Sequence, residues 1–421
     1  MAEPNSASFH LLARREFIRV ASLAASGVIV LGPDLWLARA SNAGQGKRLV
    51  VVFLRGAVDG LNVVVPYAEG NYYESRPSLA LPRSGEQAVL DLDGHFGLNP
   101  ALKSLMPAWK DGTLAFVHAS GSPDPTRSHF DAQDYIESGT PGIRSTPDGW
   151  MNRTLAALPG AHRPTEALSL GAVLPRILSG SVPVANIPLG RASVRPIALD
   201  RPGIEREFDR LYDGPDALSK AYQEGRLMRQ RLLGELEQDM ARAYQGAPGP
   251  EGFPGDAARL AWLLCQDSSV RLSFIALGGW DTHVNQGAVS GQLTNRLRPL
   301  GDGLADFAQR LGQAYDDTVV LVLSEFGRTV RENGNGGTDH GHGNVMWLMG
   351  GSVRGRRVYG RWPGLSGPDL YQERDLAVTI DFREPIAQVL RNHLGLSGPA
   401  IRQIFPQQPP GSGQIGGLIK E

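Results

Sequence analysis

Five short runs of this chain are apolar at nearly every position, not at every second one. They are Leu49 to Leu54, Leu114 to Val117, Leu272 to Leu277, Thr318 to Leu323 and Val345 to Met349. A strand with one wet face alternates; a run that is apolar throughout must be covered on both faces. Between the runs lie amphipathic stretches with helical spacing, at about Ala217 to Tyr244, Asp256 to Gln266, Leu293 to Ala314 and Glu384 to Leu394. Strands alternating with helices predict a doubly wound α/β domain whose mainly parallel sheet is sandwiched by helices.

The ends of the chain read differently. Residues 1–45 carry Arg14-Arg15-Glu16-Phe17-Ile18-Arg19, a mildly apolar run from Val20 to Leu31, and Ala38-Arg39-Ala40. That is the pattern of a twin-arginine signal peptide cleaved after Ala40, and the apolar run is too short to span a bilayer. Partners and place follow: the twin-arginine export machinery, a periplasmic or extracellular location, and no integral membrane anchor. Residues 46–405 form the α/β domain, with 142–205 expected as a cap or side insertion. Residues 406–421, rich in Gln, Pro and Gly, are expected as a flexible tail. Cys265 is the only cysteine, so no intramolecular disulfide forms. The formal net charge of −1 gives no footprint for nucleic acid.

In open α/β sheets ligands bind beyond the carboxyl ends of the strands, and the polar motifs fall there. Arg55 to Gly60 follows the first apolar run, Arg127-Ser128-His129-Phe130-Asp131 the second, Gly278 to His283 the third, and Ser324 to Arg328 the fourth. Gly337-Thr338-Asp339-His340-Gly341-His342-Gly343 comes next, so that two glycine-rich runs hold three of the nine histidines. Imidazole and carboxylate are the usual ligands of zinc and manganese, and glycine lets a loop fold tightly around an ion. The candidate metal ligands are therefore Asp59, Asp281, His283, Glu325, Asp339, His340 and His342. Asp281 and His283, two apart, share a face of an extended segment. Asp59 also suits an Asp-Gly turn, and Glu325 an ion pair with Arg328 or Arg331. Ser128 reads either as the N-cap of a helix or as a nucleophile, and His129 as a ligand or general acid. Arg55 and Arg328 are candidates for holding an anionic group.

Taken together, these motifs resemble an exported bacterial family, domain-of-unknown-function family 1501, within the alkaline phosphatase and sulfatase-like superfamily. The resemblance runs from about Arg48 to Phe405. It implies an alkaline phosphatase-like sandwich with metals at the carboxyl edge of the sheet. Asp59 falls where that superfamily has a metal-binding Asp, and Ser128 where it has a helix-starting nucleophile. Asp281 and His283 match an Asp and His that bind one metal, at a shorter spacing. Glu325 and one of His340 and His342 match the remaining ligands. Phe326 stands where a second histidine is expected and cannot bind a metal.

The reading is an exported metal-dependent hydrolase of a phosphate or sulfate ester, its cofactor one or two divalent ions, zinc or manganese before calcium. Its substrate is an anionic ester. The alternative is a non-catalytic extracytoplasmic binding or assembly protein with the same fold and a structural metal.

Overall fold

The computed structural model describes residues 28–30, 46–160, 162–187, 244–407 and 415–420. The expected helix over Ala217 to Tyr244, its last residue apart, and nearly all of the expected signal peptide lie outside them.

A ten-stranded sheet organises the molecule. Its strands are β1 (Val28–Val30), β2 (Arg48–Leu54), β3 (Leu114–Gly121), β4 (Ala167–Leu170), β5 (Val184–Ile187), β6 (Leu272–Leu277), β7 (Thr318–Ser324), β8 (Asn344–Met349), β9 (Arg357–Tyr359) and β10 (Ile380–Asp381). The order is β1-β5-β4-β6-β2-β7-β8-β3-β9, with β10 also pairing β3. Every pair is parallel except the two that β8 makes, with β7 and β3. All five apolar runs of the sequence are strands of this sheet, and the fold is the mainly parallel α/β class expected.

Both faces are covered, as continuous apolarity requires. In β2, Val50, Val52 and Leu54 join one core cluster while Leu49, Val51 and Phe53 join another. The first core is closed by helices Phe253–Gln266 and Gln292–Leu311. The second is closed by helices Trp150–Ala157, Arg383–Gln388 and Gly398–Ile404. Each of the six β2 side chains from Leu49 to Leu54 is 2% exposed or less. Burial of this kind stabilises by roughly 1.5–3 kcal/mol per large aliphatic side chain; a charge introduced at Val51 would break both the strand and the core behind it.

Within the described part of 142–205, where the sequence suggests a cap or side insertion, β4 and β5 lie in the main sheet, β4 pairing with β6 and β5 with β4. They are four-residue strands, too short to stand out from the surrounding prolines. In the expected tail, the described residues 415–420 dock: Ile415, Leu418 and Ile419 are buried in the second core, and Ile419 bridges Val353.

Candidate metal centre

Leu54, Leu277 and Ser324 are register partners, so β2, β6 and β7 end side by side and release their loops over one edge. β3 ends nearby, and the chain then enters helix α1 (His129–Ser138) with Ser128 as N-cap. The spacing of His129, Gln133 and Glu137 puts all three on one helix face, which looks onto the loops.

Four side chains converge there. His340 Nε2 lies 2.9 Å from both His129 Nε2 and His283 Nε2. Asp281 Oδ1 is 3.0 Å from His283 Nε2 and 3.4 Å from His340 Nε2, and its Oδ2 is 3.6 Å from His129 Nε2. Each ring is fixed from behind at Nδ1: His129 by Glu325 Oε1 at 2.7 Å, His283 by Asp339 Oδ1 at 3.0 Å, His340 by the Arg127 carbonyl at 2.9 Å. These three partners can only accept, so whenever a ring is neutral its proton sits on Nδ1 and its Nε2 lone pair is presented to the centre.

Three lone pairs and a carboxylate aimed at one point repel each other unless a cation or protons fill the gap. Ligands bonded tetrahedrally at zinc distances of about 2.0–2.1 Å would sit roughly 3.3 Å apart, close to the separations above. His129, Asp281 and His340 offer mutually adjacent ligand atoms, and His283 Nε2 stands beside them, 2.9 Å from His340 Nε2. The carboxylate or carbonyl behind each imidazole is the usual support of a metal-bound histidine. The donor chemistry therefore fits a single divalent transition metal.

Protonation shows the same tension. Burial opposes a charge on His129, but hydrogen bonds to Asp281 and Glu325 outweigh it and raise its pKa to about 9. The bond to Asp281 also raises His283, against burial, whereas burial pushes His340 down. Asp281, although burial works against its charge, is held well below the usual carboxylate range by the three histidines and Arg328. Glu325 is likewise lowered, to about 2, by His129 and Gln133 in spite of full burial.

The other candidate residues are not brought to the centre. Asp59 is fully buried, its two oxygens taken by Arg76 at 2.6 and 3.0 Å and by Gln286 at 2.6 Å. Glu325 and Asp339 stand behind imidazoles instead of beside the point of convergence. His342 gives Nε2 to the Ser122 carbonyl and packs on Tyr371. Arg328 donates to the carbonyls of Ala57, Thr338 and Gly56 and holds Asp281 Oδ1, so it positions a ligand and has little left for an anion. Arg55 is bound to Gln133 Oε1 at 2.6 Å and Glu137 Oε1 at 2.5 Å. Ser128 Oγ accepts from Asp131 N–H at 3.5 Å, the helix-cap contact.

Arg76, Gln133, Gln286 and Asn333 escaped the sequence reading. Only Gln133 left a signal, the four-residue spacing from His129. Phe326 lines the cluster, its ring centroid 4.9 Å from that of His129 and 5.1 Å from that of His340. Two glycines make the loops' approach feasible. Gly56 has φ +114°, and a Cβ there would lie 2.7 Å from Asp281 N; one at Gly337 would lie 2.3 Å from the His283 carbonyl oxygen.

The family model described as "Protein of unknown function (DUF1501)" matches residues 106–405. No curated protein matches the sequence. Solved structures similar to the chain include the lipoteichoic acid synthase LtaP from Listeria monocytogenes, at 10% identity, 87% of this chain, 77% of that one and a TM-score of 0.39. A protein in the alkaline phosphatase superfamily from Vibrio parahaemolyticus shares 11% identity over 83% of this chain and 71% of its own, with a TM-score of 0.36. The C-terminal periplasmic domain of EcEptC from Escherichia coli, in complex with Zn, shares 11% identity over 85% and 84%, also at 0.36. Likeness this distant assigns no role to any residue of this chain.

Proposed function

The chain belongs to the DUF1501 family of proteins of unknown function, and we propose that it is an exported hydrolase of phosphate or sulfate esters that depends on one divalent transition metal. His129, Asp281, His283 and His340 would hold the ion. The observation that carries this reading is the convergence of three Nε2 lone pairs and one carboxylate, each supported from behind, at the carboxyl edge of a parallel sheet. The nitrogen-rich set favours zinc, then manganese, over calcium.

When bound, such an ion supplies Lewis acidity, polarising an ester oxygen and acidifying a hydroxyl brought near it. The chain's own groups prepare the site. Glu325, Asp339 and the Arg127 carbonyl hold protons on Nδ1 and so keep each Nε2 free. Arg328 fixes Asp281. His283 and His340 are 32% and 26% exposed, so the centre is open to solute from their side. Ser128, exposed at the start of α1 beside His129, is the candidate nucleophile, with the helix N-terminus favouring an anionic group. Export by the twin-arginine route, read from Arg14-Arg15, would place the enzyme in the periplasm or outside the cell.

A second reading is an extracytoplasmic protein with a structural metal. Four protein ligands favour it, because catalytic zinc sites usually keep one position open. One experiment separates the two. The chain is loaded with zinc, manganese or calcium, its metal content measured, and aryl phosphate, diester and sulfate supplied. About one equivalent of metal with turnover of one ester class supports the hydrolase. Metal without turnover across the panel leaves the structural reading, and no bound metal sinks both.

A further inference from the structure

Arg55 lies outside the metal centre, yet a continuous line of buried side chains joins it to one of the ligands. Glu137 Oε1 accepts from Arg55 Nη2 at 2.5 Å, and Arg55 Nη1 donates to Gln133 Oε1 at 2.6 Å. Gln133 Nε2 then donates to Glu325 Oε1 at 2.8 Å, and the same oxygen accepts from His129 Nδ1 at 2.7 Å. Arg55 is 3% exposed, Glu137 1%, and Gln133 and Glu325 0%, so solvent does not compete for these bonds. The far end is tied down as well, because Glu137 Oε2 accepts from the Ile177 amide at 2.9 Å.

The line has a direction, and each link enforces it. A guanidinium can only donate, so Gln133 turns its carbonyl oxygen toward Arg55. Its NH2 group is thereby set against Glu325, an ionised carboxylate that can only accept. With the amide turned over, NH2 would face guanidinium and oxygen would face carboxylate, two unmade bonds in a dry site. Gln133 therefore has one orientation. Glu325 in turn depends on neutral donors: it takes Gln133 and the Gly56 amide at 2.8 Å, and no guanidinium or ammonium among the described residues touches it. Both donors are set by the Arg55-Gly56 step at the end of β2, one directly and one through the locked amide.

We propose that Arg55 and Gln133 are positioning residues for the metal: by locking the amide they hold Glu325 where it fixes the His129 ring, with Nε2 turned to the ion. The proposal rests on the metal-binding part of the proposed function and not on hydrolysis. An imidazole whose support tilts offers its lone pair off axis, which weakens the bond to the ion.

Zinc affinity of the full chain, measured by competition with a chelator, tests this, and the visible spectrum of the cobalt(II)-loaded protein reports ligand geometry. Gln133→Met keeps most of the side chain's bulk and removes both hydrogen bonds. Zinc should bind it about tenfold more weakly, the low end for an outer-shell partner. Arg55→Lys keeps a cation for Glu137 without the fork that reaches Gln133, and should cost about threefold. Because the two act in one line, the double variant should be no weaker than Gln133→Met alone. The cobalt spectrum should shift in both single variants. Ile136→Val thins the core on the same helix outside the line, and should leave affinity and spectrum as in the wild type. If Gln133→Met does not fold, Arg55→Lys carries the test. Affinities within about twofold of wild type, losses that multiply in the double variant, an unshifted spectrum, or an equal loss in Ile136→Val would each overturn the proposal. A wild type that binds no zinc would sink the metal centre and this inference with it. Zinc held tightly whatever stands at 55 and 133 would sink the inference alone.

Discussion

Asp59 and Asp281 follow neighbouring strands of one sheet, and both are nearly withdrawn from water, yet their surroundings give them opposite uses. Asp59 meets Arg76 fork to fork, with Gln286 as a third donor. Its negative charge is spent inside the protein. Arg328 approaches Asp281 through a single nitrogen, its guanidinium also serving the carbonyls of Gly56, Ala57, Trp280 and Thr338 in three loops. Asp281 Oδ1 also faces the Nε2 atoms of His283 and His340, and its Oδ2 that of His129, nitrogens that offer no proton when the rings are neutral. A carboxylate at a strand end is thus a structural ion pair or a ligand according to whether its neighbours bring hydrogens or lone pairs.

The sharpest way to break that contrast is to remove each carboxylate in turn. Asp281→Ala should weaken metal binding by more than the roughly 10–100-fold that loss of an outer-shell partner costs, and elemental analysis should find the variant nearly empty. It should stay folded, since Arg328 keeps its carbonyl partners. A variant that retained a full equivalent would refute the assignment of Asp281 as a ligand. Asp59→Ala should show the reverse pattern. It strands the Arg76 guanidinium in a dry site, and such a loss costs about 3–5 kcal/mol, readable in chemical denaturation, with metal stoichiometry intact.

The same contrast among histidines can be sharpened with acid. His118 is buried with Nε2 on the Val64 carbonyl and Nδ1 accepting from Ala119 N–H, so both ring nitrogens are satisfied in the neutral form. Burial lowers its pKa to about 4, below the ordinary value near 6.5. The folded state therefore binds this proton less readily than the unfolded one. Its contribution is complete above pH 6.5, shrinks as the pH falls, and is gone at about pH 4, a loss of roughly 3 kcal/mol. Denaturation of wild type and His118→Asn at pH 7 and pH 4.5 should show the steeper fall in the wild type; parallel slopes would contradict it.

Ser128→Ala carries the smallest expected structural effect. Its cap contact is long at 3.5 Å, so the stability loss should be about 0.5 kcal/mol, the low end for helix caps. Turnover should vanish if the hydroxyl attacks the ester, while metal content stays put. Turnover that persists in the variant would discard this nucleophile.

How much of this was legible beforehand follows from the range of each interaction. The five apolar runs announced their strands because burial on both faces is written locally. β4 and β5 were missed since four residues interrupted by Ser169 and Asn186 carry too little pattern. In the site, His283, His340 and Asp281 were visible as polar residues at strand ends, and His129 beside Ser128. That Asp59 would belong to Arg76 was not visible, because partner choice is settled by tertiary packing. Glu325 has a ligand's residue type, but it meets the cost of its burial by accepting from His129, Gln133 and the Gly56 amide.

The reversal of β8 has a consequence for how such a site can change. β7 ends at the carboxyl edge and β8 begins there, so the connection 325–343 leaves the sheet and returns to the same edge. It carries Glu325, Arg328, Asp339 and His340, together with the Thr329 to Asn333 wall of a cleft of about 670 Å³ that Asp339 also lines. Lengthening or shortening this one excursion would leave the strand ladder untouched. It would, however, alter the wall of that cleft and the aim of His340 in a single event. On the proposed hydrolase reading, specificity and metal chemistry would be inherited together.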